Sequence, residues 1–256
     1  MRPGERTLRV EAIVLRHSDW GEADRLLTLF TREEGKLRTI AKGVRRLRSR
    51  KAGHLQPFTR VKLMLAHGRD LWIVTQAETV AAYLALREDL ERIAHASYAV
   101  ELLDRFTYEE GANRPLFDLL AMTLQRMDEG QLPFTLLRYY ELRLLDLLGF
   151  RPELFRCVGC GEGIQPQDQF FSPLLGGVLC PRCAAQDASA RPISVNALRF
   201  LRHFQRSTYA EASRALIPAP VQQEMETRMQ DYLTYYLERG LNTPGFLRAV
   251  SRRKNG

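Results

Sequence analysis

The sequence predicts a multidomain α+β protein, with a small β-barrel at the N-terminus followed by an α-helical domain. Three observations indicate this fold class. Apolar residues recur with a period of two in the first part of the chain and with helical steps of three and four afterwards. An excess of cations is confined to the first part, and all four cysteines fall in one later segment. We place the domains at residues 1–80 and 81–256, with the cysteine-bearing segment 157–183 inserted in the second.

Five short strands are predicted in the first domain. Each apolar run is bounded by polar or glycine-containing residues, at 10–15, 26–30, 37–40, 61–66 and 71–75. The fourth run alternates with a period of two, which turns one face inward, and the polar residues after it predict a hairpin turn. Five strands in about 75 residues suit a small barrel such as an OB-fold, although the periodicity fits an SH3-like barrel equally well.

Helical periodicity begins after residue 80. One apolar stripe predicts a single long helix through Leu86, Leu90, Ile93, Ala96, Val100 and Leu103. Residues 116–127 and 133–148 predict two more helices, and Gly149 is placed as the stop of the second. Ser194 is a suitable N-cap for a further helix, and Pro220 opens the last one. Such stripes are typical of a helix-on-helix core.

The positive charge is distributed unevenly. The net charge is +8 and the isoelectric point about 9.6. Residues 1–70 hold 17 Lys or Arg and 8 Asp or Glu, an excess of nine, so the remaining residues sum to −1. A one-sided basic segment indicates a polyanionic partner. An acidic membrane surface fits the charge alone, but we recognise no lipidation motif or basic amphipathic helix and therefore expect no membrane partner.

The expected compartment is the cytoplasm. No stretch approaches the roughly 18 uncharged apolar residues that a membrane-spanning helix needs. Charges at Arg2, Glu5 and Arg6 leave no room for the apolar region of a signal peptide. In a cytosolic chain, clustered cysteines indicate metal binding rather than disulfides.

Two Cys-x-x-Cys pairs separated by 19 residues provide four thiolates. Each pair turns tightly enough to aim two sulfurs at one point, and two pairs complete a tetrahedral shell around Zn²⁺. Because such a shell leaves no position open for water, the zinc is expected to be structural. Redox-active thiols, buried thiols and an iron–sulfur cluster are the alternatives. The expected ligands are Cys157, Cys160, Cys180 and Cys183.

A dense run of cations lies between the third and fourth predicted strands. Residues 42–51 contain no acid and six cations, namely Lys42, Arg45, Arg46, Arg48, Arg50 and Lys51. A charge run is usually a solvated face, but loops between the strands of an OB-like barrel commonly flank a nucleic-acid groove. We therefore interpret the run as a phosphate-contact surface. Trp20, in a polar stretch, is the best candidate among the nearby aromatic residues for stacking on a base.

No catalytic motif is recognised. The sequence has no phosphate-binding Gly-x-x-x-x-Gly-Lys-Ser/Thr loop and no Gly-x-Gly-x-x-Gly fingerprint. None of the five histidines begins a His-x-Glu or His-Glu-x-x-His pattern, and no acidic cluster suits a two-metal nuclease. The protein is therefore not expected to be an enzyme.

Several motifs, in order, resemble the RecO family of bacterial recombination mediators. The N-terminal ones are EAIVLR at 11–16, GEADRL at 21–26, FTREEGK at 30–36 and AKG at 41–43. The likeness continues at 55–58, 75–78, 98–103, 145–150 and 171–173, so it covers most of the chain from about residue 8 to 185. The resemblance implies an N-terminal OB-fold, a helical domain and, in some members, a four-cysteine zinc site.

The resemblance also implies a function without a catalytic centre. RecO-like proteins bind single- and double-stranded DNA, anneal complementary strands and help load RecA onto strands coated with single-strand-binding protein. They act with RecR, often with RecF, and bind the acidic, apolar tail of single-strand-binding protein. This implies a cytoplasmic, nucleoid-associated protein.

The expected DNA contacts have two origins. By position, Lys36 and Lys42 match the basic strand–turn residues linked to DNA binding in the family. Charge density adds Arg38, Arg45, Arg46 and Arg48, whereas Arg25 is a weaker candidate because the Asp24-Arg25 pair could serve only to brace the barrel. An RNA-binding zinc-ribbon protein would show the same charge and cysteines, and a scaffold that docks an acidic protein would show the same charge.

Overall fold

The computed structural model describes residues 7–109, 111–131 and 133–237. Contacts within the chain define two compact units. The barrel unit takes in the described residues up to Gly130, and the C-terminal unit begins at Gln131. No helix among the described residues is long and apolar enough to cross a bilayer.

Five strands close into a barrel in the barrel unit, and all five were predicted. They are β1 (Thr7–Trp20), β2 (Asp24–Thr31), β3 (Gly35–Ala41), β4 (Arg60–His67) and β5 (Trp72–Ala81). The order around the barrel is β1-β2-β3-β5-β4, and β3 runs parallel to β5. An SH3-like barrel has no such parallel closing pair, so the structure confirms the OB-like alternative. Leu27, Leu29 and Leu65 are fully buried in its core.

Three helices complete the barrel unit: α1 (Leu84–Arg87), α2 (Leu90–Phe106) and α3 (Arg114–Asp128). The prediction of one helix through Leu86 and Leu90 was wrong, because Asp89 separates two helices. Its backbone is extended, and its carboxylate accepts hydrogen bonds from the N–H groups of Glu91 and Arg92, which makes it the N-cap of α2. Leu90, predicted on the buried stripe, is 49% exposed.

The change from strands to helices lies at Ala81, where β5 ends, next to the predicted boundary at residue 80. The compact unit that contains the barrel nevertheless continues to Gly130. Helices α1, α2 and α3 pack on one another, and α2 also contacts β1.

The C-terminal unit combines helices with a small antiparallel sheet of order β7-β6-β8. Its elements are α4 (Pro133–Leu147), β6 (Gln169–Ser172), β7 (Gly177–Leu179), a 3₁₀ helix (Pro181–Gln186), β8 (Arg191–Ile193), α5 (Val195–Arg206), α6 (Tyr209–Ala212) and α7 (Ala219–Tyr236). Gly149 follows α4 with a φ of +81°, and the Ser194 side chain accepts a hydrogen bond from the N–H of Ala197. Both predicted helix boundaries are therefore confirmed.

Candidate nucleic-acid interface and metal centre

The basic loop, residues 42–51, begins beside the turn between β1 and β2. The Asp24 carboxylate accepts a hydrogen bond of 2.7 Å from the N–H of Gly43, whose φ of +64° suits glycine. The Ala23 carbonyl accepts one of 2.9 Å from the N–H of Arg45. The Arg45 guanidinium also reaches the Gly21 carbonyl at 3.4 Å. These contacts fix the start of the basic loop at one end of the barrel.

Most cations of this region are exposed. Arg45 pairs with Asp19 at 3.4 Å, and Asp19 also pairs with Arg25 at 3.2 Å. Within the described parts of the chain, no carboxylate lies within ion-pair distance of five further exposed cations, Arg38, Lys42, Arg46, Arg48 and Arg50. This end of the barrel therefore presents a surplus of positive charge to solvent.

Lys36 differs from its neighbours in having partners within the barrel unit. Its ammonium donates hydrogen bonds to the backbone carbonyls of Asp104 at 2.6 Å and Thr107 at 3.1 Å, at the C-terminus of α2. It also lies 2.5 Å from the Asp104 carboxylate, and its side chain is only 14% exposed. A cation at a helix C-terminus stabilises the helix dipole. The structure thus gives Lys36 a role in holding α2 on the barrel, and its expected DNA contact stays a prediction.

The outer face of β1, β2 and β3 continues from the basic loop. In the strand register Trp20 lies opposite Asp24, and Arg38 lies opposite Thr28. Leu27, Leu29 and Ala41 belong to the core, so the alternating residues Leu26 and Ile40 face outward beside Arg38. OB-folds bind oligonucleotides on the face of strands 2 and 3. Here that face combines cationic, aliphatic and aromatic side chains.

Residues 7–81 contain four aromatic residues that could stack on a base, and Trp20 is the exposed one. Its side chain is 58% exposed, whereas Phe30 and Phe58 are buried. Trp72 is partly buried and makes an edge contact with the ring of His67, at 5.2 Å between centroids. Trp20 alone of these four is therefore free to stack on a base.

The four cysteines meet at one point of the C-terminal unit. Their sulfur atoms all lie within 4.8 Å of one another, and those of Cys160 and Cys180 are 4.0 Å apart. A tetrahedral site with metal–sulfur bonds of about 2.3 Å requires sulfur separations of about 3.8 Å. The set is therefore close to the geometry of a four-thiolate centre and could hold a metal ion.

Backbone geometry positions each pair of cysteines. In the first pair, the N–H of Gly161 donates to the Cys157 carbonyl at 2.8 Å, and Gly161 has a φ of +78°. In the second pair, the N–H of Cys183 donates to the Cys180 carbonyl at 2.9 Å at the start of the 3₁₀ helix. Both pairs are therefore tight turns that place two sulfurs on the same side.

The surroundings of Cys157 favour its thiolate. Burial opposes ionisation, but the backbone N–H groups of Cys180, Cys160 and Gly159 outweigh it and lower the pKa of Cys157, whereas the neighbouring cysteine sulfurs raise the pKa of Cys183. The N–H of Cys180 lies 3.2 Å from this sulfur. Since thiolates are the metal-binding form of cysteine, this environment suits a metal ligand.

Gly177 lets the chain pass close to the first cysteine pair. A Cβ atom on Gly177 would lie 2.4 Å from the Glu153 carbonyl oxygen and 2.8 Å from a methyl carbon of Val158. Gly177 bridges to Glu153, just ahead of Cys157. The β6–β7 hairpin therefore packs directly against the metal-binding segment.

A second basic surface was missed by the sequence analysis. Helix α5 carries Arg199, Arg202, His203 and Arg206 and no acid, while Leu198, Leu201 and Phe204 are buried on its other side. The expectation of no basic amphipathic helix was therefore wrong. In the sequence, Arg202, His203 and Arg206 follow Arg199 at spacings of three, four and seven residues, which is a helical pattern. The basic face of α5 was overlooked because the residues after 70 have a net charge of −1, and that sum does not show a local group of cations.

Comparison with known proteins gives two family matches. Residues 4–83 match the model described as recombination protein O N terminal, and residues 87–244 match recombination protein O C terminal. Together the two matches leave only short segments of the chain uncovered.

Curated relatives agree with this assignment. A DNA repair protein RecO from Roseiflexus sp. (strain RS-1) is 44% identical over 95% of this chain and 86% of its own length. One from Pelotomaculum thermopropionicum is 39% identical over 93% of both chains. One from Dehalococcoides mccartyi (strain CBDB1) is 35% identical over 90% of this chain and 91% of its own. The chain therefore belongs to the RecO family of DNA repair proteins.

Proposed function

We propose that this protein is a DNA-binding recombination mediator and not an enzyme. It binds single- and double-stranded DNA, anneals complementary strands and, with RecR, helps load RecA onto strands coated with single-strand-binding protein. The observation that carries the proposal is the surplus of exposed cations beside Trp20 on the outer face of an OB-like barrel. Membership of a family of DNA repair proteins favours DNA over RNA as the ligand.

Binding follows from charge and stacking. Arg38, Lys42, Arg46 and Arg48, joined by Arg45, contact phosphates and release condensed counterions, which makes affinity fall with salt. Arginine suits this task because its planar guanidinium forms forked contacts with phosphate oxygens. Trp20 supplies a face on which one base stacks irrespective of sequence. Neutralising phosphates reduces the repulsion between two strands, which is the electrostatic barrier to annealing.

The partners follow from the family resemblance. RecR, and in many systems RecF, act with the protein in the cytoplasm at the nucleoid. The tail of single-strand-binding protein recruits it to coated strands, where strand exchange is needed. No membrane is involved.

We also propose that Cys157, Cys160, Cys180 and Cys183 hold a structural Zn²⁺. Four thiolates complete the coordination shell, so no site for water or substrate remains. The ion would hold the first cysteine turn on the β6–β7 hairpin and the 3₁₀ helix. Elemental analysis should find about one zinc per chain, and Cys157→Ser or Cys180→Ser should lose it and lower the melting temperature while sparing DNA binding by the barrel. A metal-free Cys157→Ser/Cys180→Ser protein with native melting would contradict a structural zinc.

The first test of DNA binding is fluorescence anisotropy with matched single-stranded DNA and RNA oligonucleotides at several salt concentrations. Replacing Arg45, Arg46 and Arg48 with Ala should weaken DNA binding and reduce the salt slope by up to about 2, at roughly 0.7 per phosphate contact. Arg114→Ala, at an exposed position at the start of α3, is compared with Arg46→Ala because each removes one charge. An unchanged slope in the triple variant would remove the basic loop from the interface, and a preference for RNA would favour an RNA-binding function.

A further inference from the structure

The α5 face is a basic surface in the C-terminal unit. We define it as Arg199, Arg202, His203 and Arg206 of α5, together with Phe155. The four α5 residues follow one another at steps of three, one and three, which places them on one side of the helix. Leu198, Leu201 and Phe204 are at most 1% exposed on the opposite side. The apolar side of α5 is therefore already buried within its own unit.

Two guanidinium groups lie on the ring of Phe155. The Arg206 guanidinium carbon is 3.6 Å from the ring centroid, and that of Arg202 is 5.3 Å from it. The Arg202 Nε donates a hydrogen bond of 2.7 Å to the Leu154 carbonyl, which fixes this side chain beside the ring. Two like charges are thus held beside one aromatic ring.

This pair lacks a matching anion. Within the residues that the structure describes, no carboxylate lies within ion-pair distance of Arg202 or Arg206, and Nη2 of Arg202 is buried without a hydrogen-bond partner. Glu153 attracts Arg202 electrostatically but forms no ion pair with it, and its Oε1 accepts hydrogen bonds from the backbone N–H groups of Phe155 and Arg156. Within the described part of the chain the exposed Arg206 guanidinium therefore has no ion-pair partner, so it is open to an anionic ligand.

The shape of the surface favours nucleic acid. Arg199 and Arg206 are seven residues apart on the helix, a separation of about 10 Å, so they can contact different phosphates of one strand. Guanidinium planes also offer faces on which bases stack. A membrane surface is not favoured, because the apolar residues of α5 are buried and cannot insert into lipid.

We propose that the α5 face is a second nucleic-acid contact surface, which binds the phosphate backbone of a single strand separately from the barrel. The proposal rests on the proposed function, because it supplies what annealing requires: one chain that holds two strands at once. Arg199 and Arg206 contact phosphates from solvent, and Phe155 orients the Arg202 and Arg206 guanidinium groups beside it.

The test uses the full-length protein and two oligothymidylate strands, one labelled with a donor and one with an acceptor fluorophore. Such strands cannot pair with each other, so energy transfer with strands in excess reports two strands on one protein. Arg199→Ala/Arg206→Ala should weaken binding of the second strand at least about tenfold and leave the first within about twofold. Arg191→Ala/Arg214→Ala removes the same charge from exposed positions outside α5 and should change neither.

Each outcome separates the two proposals. Unchanged energy transfer and an unchanged salt slope in Arg199→Ala/Arg206→Ala would overturn the second surface. A wild-type protein that binds one strand but gives no energy transfer would also overturn the second surface, and this result would leave the barrel interface intact. If the α5 variant loses affinity only for an acidic peptide, the ligand is a protein and the nucleic-acid assignment fails. If it loses all DNA binding while the triple barrel variant binds normally, the α5 face stands and the barrel interface fails.

Discussion

The Lys36 ammonium lies 2.5 Å from the Asp104 carboxylate and donates to the backbone carbonyl of the same residue. Arg16 contacts the other carboxylate oxygen at 3.0 Å. One acid of α2 therefore binds two cations from two strands of the barrel. Cations that look equivalent along the sequence thus divide into those that hold the protein together and those left for a ligand.

Asp104→Asn should destabilise the barrel unit in a pH-dependent way. Burial opposes ionisation of Asp104, but its contacts with Lys36 and Arg16 outweigh burial and lower its pKa. Its contribution to stability is therefore complete above the unfolded pKa of about 3.9 and is lost as pH falls through the lower folded value. Urea unfolding should show a loss of roughly 2 kcal/mol at pH 7 that shrinks below about pH 4.

The matched control for this substitution is Asp118→Asn, because Asp118 is 47% exposed and pairs with Arg32 at 3.4 Å. Exposed pairs contribute little, so its effect should be small at every pH. An equal loss at pH 7 and pH 3 in Asp104→Asn would show that the charge of Asp104 is irrelevant to stability.

Lys36→Ala and Arg38→Ala should have opposite phenotypes, although the residues are two apart on the same strand. Lys36→Ala removes three contacts to α2 and should lower stability by about 1–3 kcal/mol while leaving the salt slope of DNA binding unchanged. Arg38→Ala should leave stability nearly unchanged and reduce the slope by about 0.7. Unfolding curves and salt titrations of both variants decide between this structural role and the predicted DNA contact of Lys36, which a reduced slope in a stable Lys36→Ala protein would support.

Trp20 should report directly on bound DNA. The chain has two tryptophans, and Trp72 is partly buried, so a Trp72→Phe protein has Trp20 as its single tryptophan. Its emission should be quenched by single-stranded DNA. Trp20→Ala should weaken binding by about 1–3 kcal/mol, whereas Trp20→Phe should retain most of it. Normal salt-dependent binding without quenching would leave the cations in the interface and exclude Trp20.

Gly177→Ala should disturb the metal centre from outside its ligand set. The new methyl would collide with the Glu153 backbone oxygen and with Val158, next to Cys157, at a cost of about 1–3 kcal/mol. Gly163→Ala is the control in the same segment, because a Cβ there meets nothing within 4 Å. Thermal unfolding and metal content should separate the two variants, and equal behaviour would mean that the hairpin does not support the cysteine turns.

The sequence predicted the five strands because apolar alternation is a local property. It could not distinguish two kinds of barrel, since the parallel pairing of Thr39 with Trp72 joins segments far apart in the chain. The role of Lys36 was hidden for the same reason, because its partners lie on another element. Aspartate is a favourable N-cap residue, so the helix start at Asp89 could have been predicted. The apolar stripe that continues across Asp89 predicted one uninterrupted helix instead. The cysteine cluster was predictable because spacing alone nearly determines where four sulfurs can meet.

The basic loop is anchored at its two ends and exposed between them. Val44, near its start, is buried in the barrel core, and the ammonium of Lys51, at its end, donates to the Val74 carbonyl at 2.9 Å. Arg46, Leu47 and Arg48, by contrast, are exposed to solvent. The length and charge of this short exposed segment can therefore vary between related proteins with little consequence for folding. Evolution can thus change the affinity for a polyanion without changing the stability of the barrel.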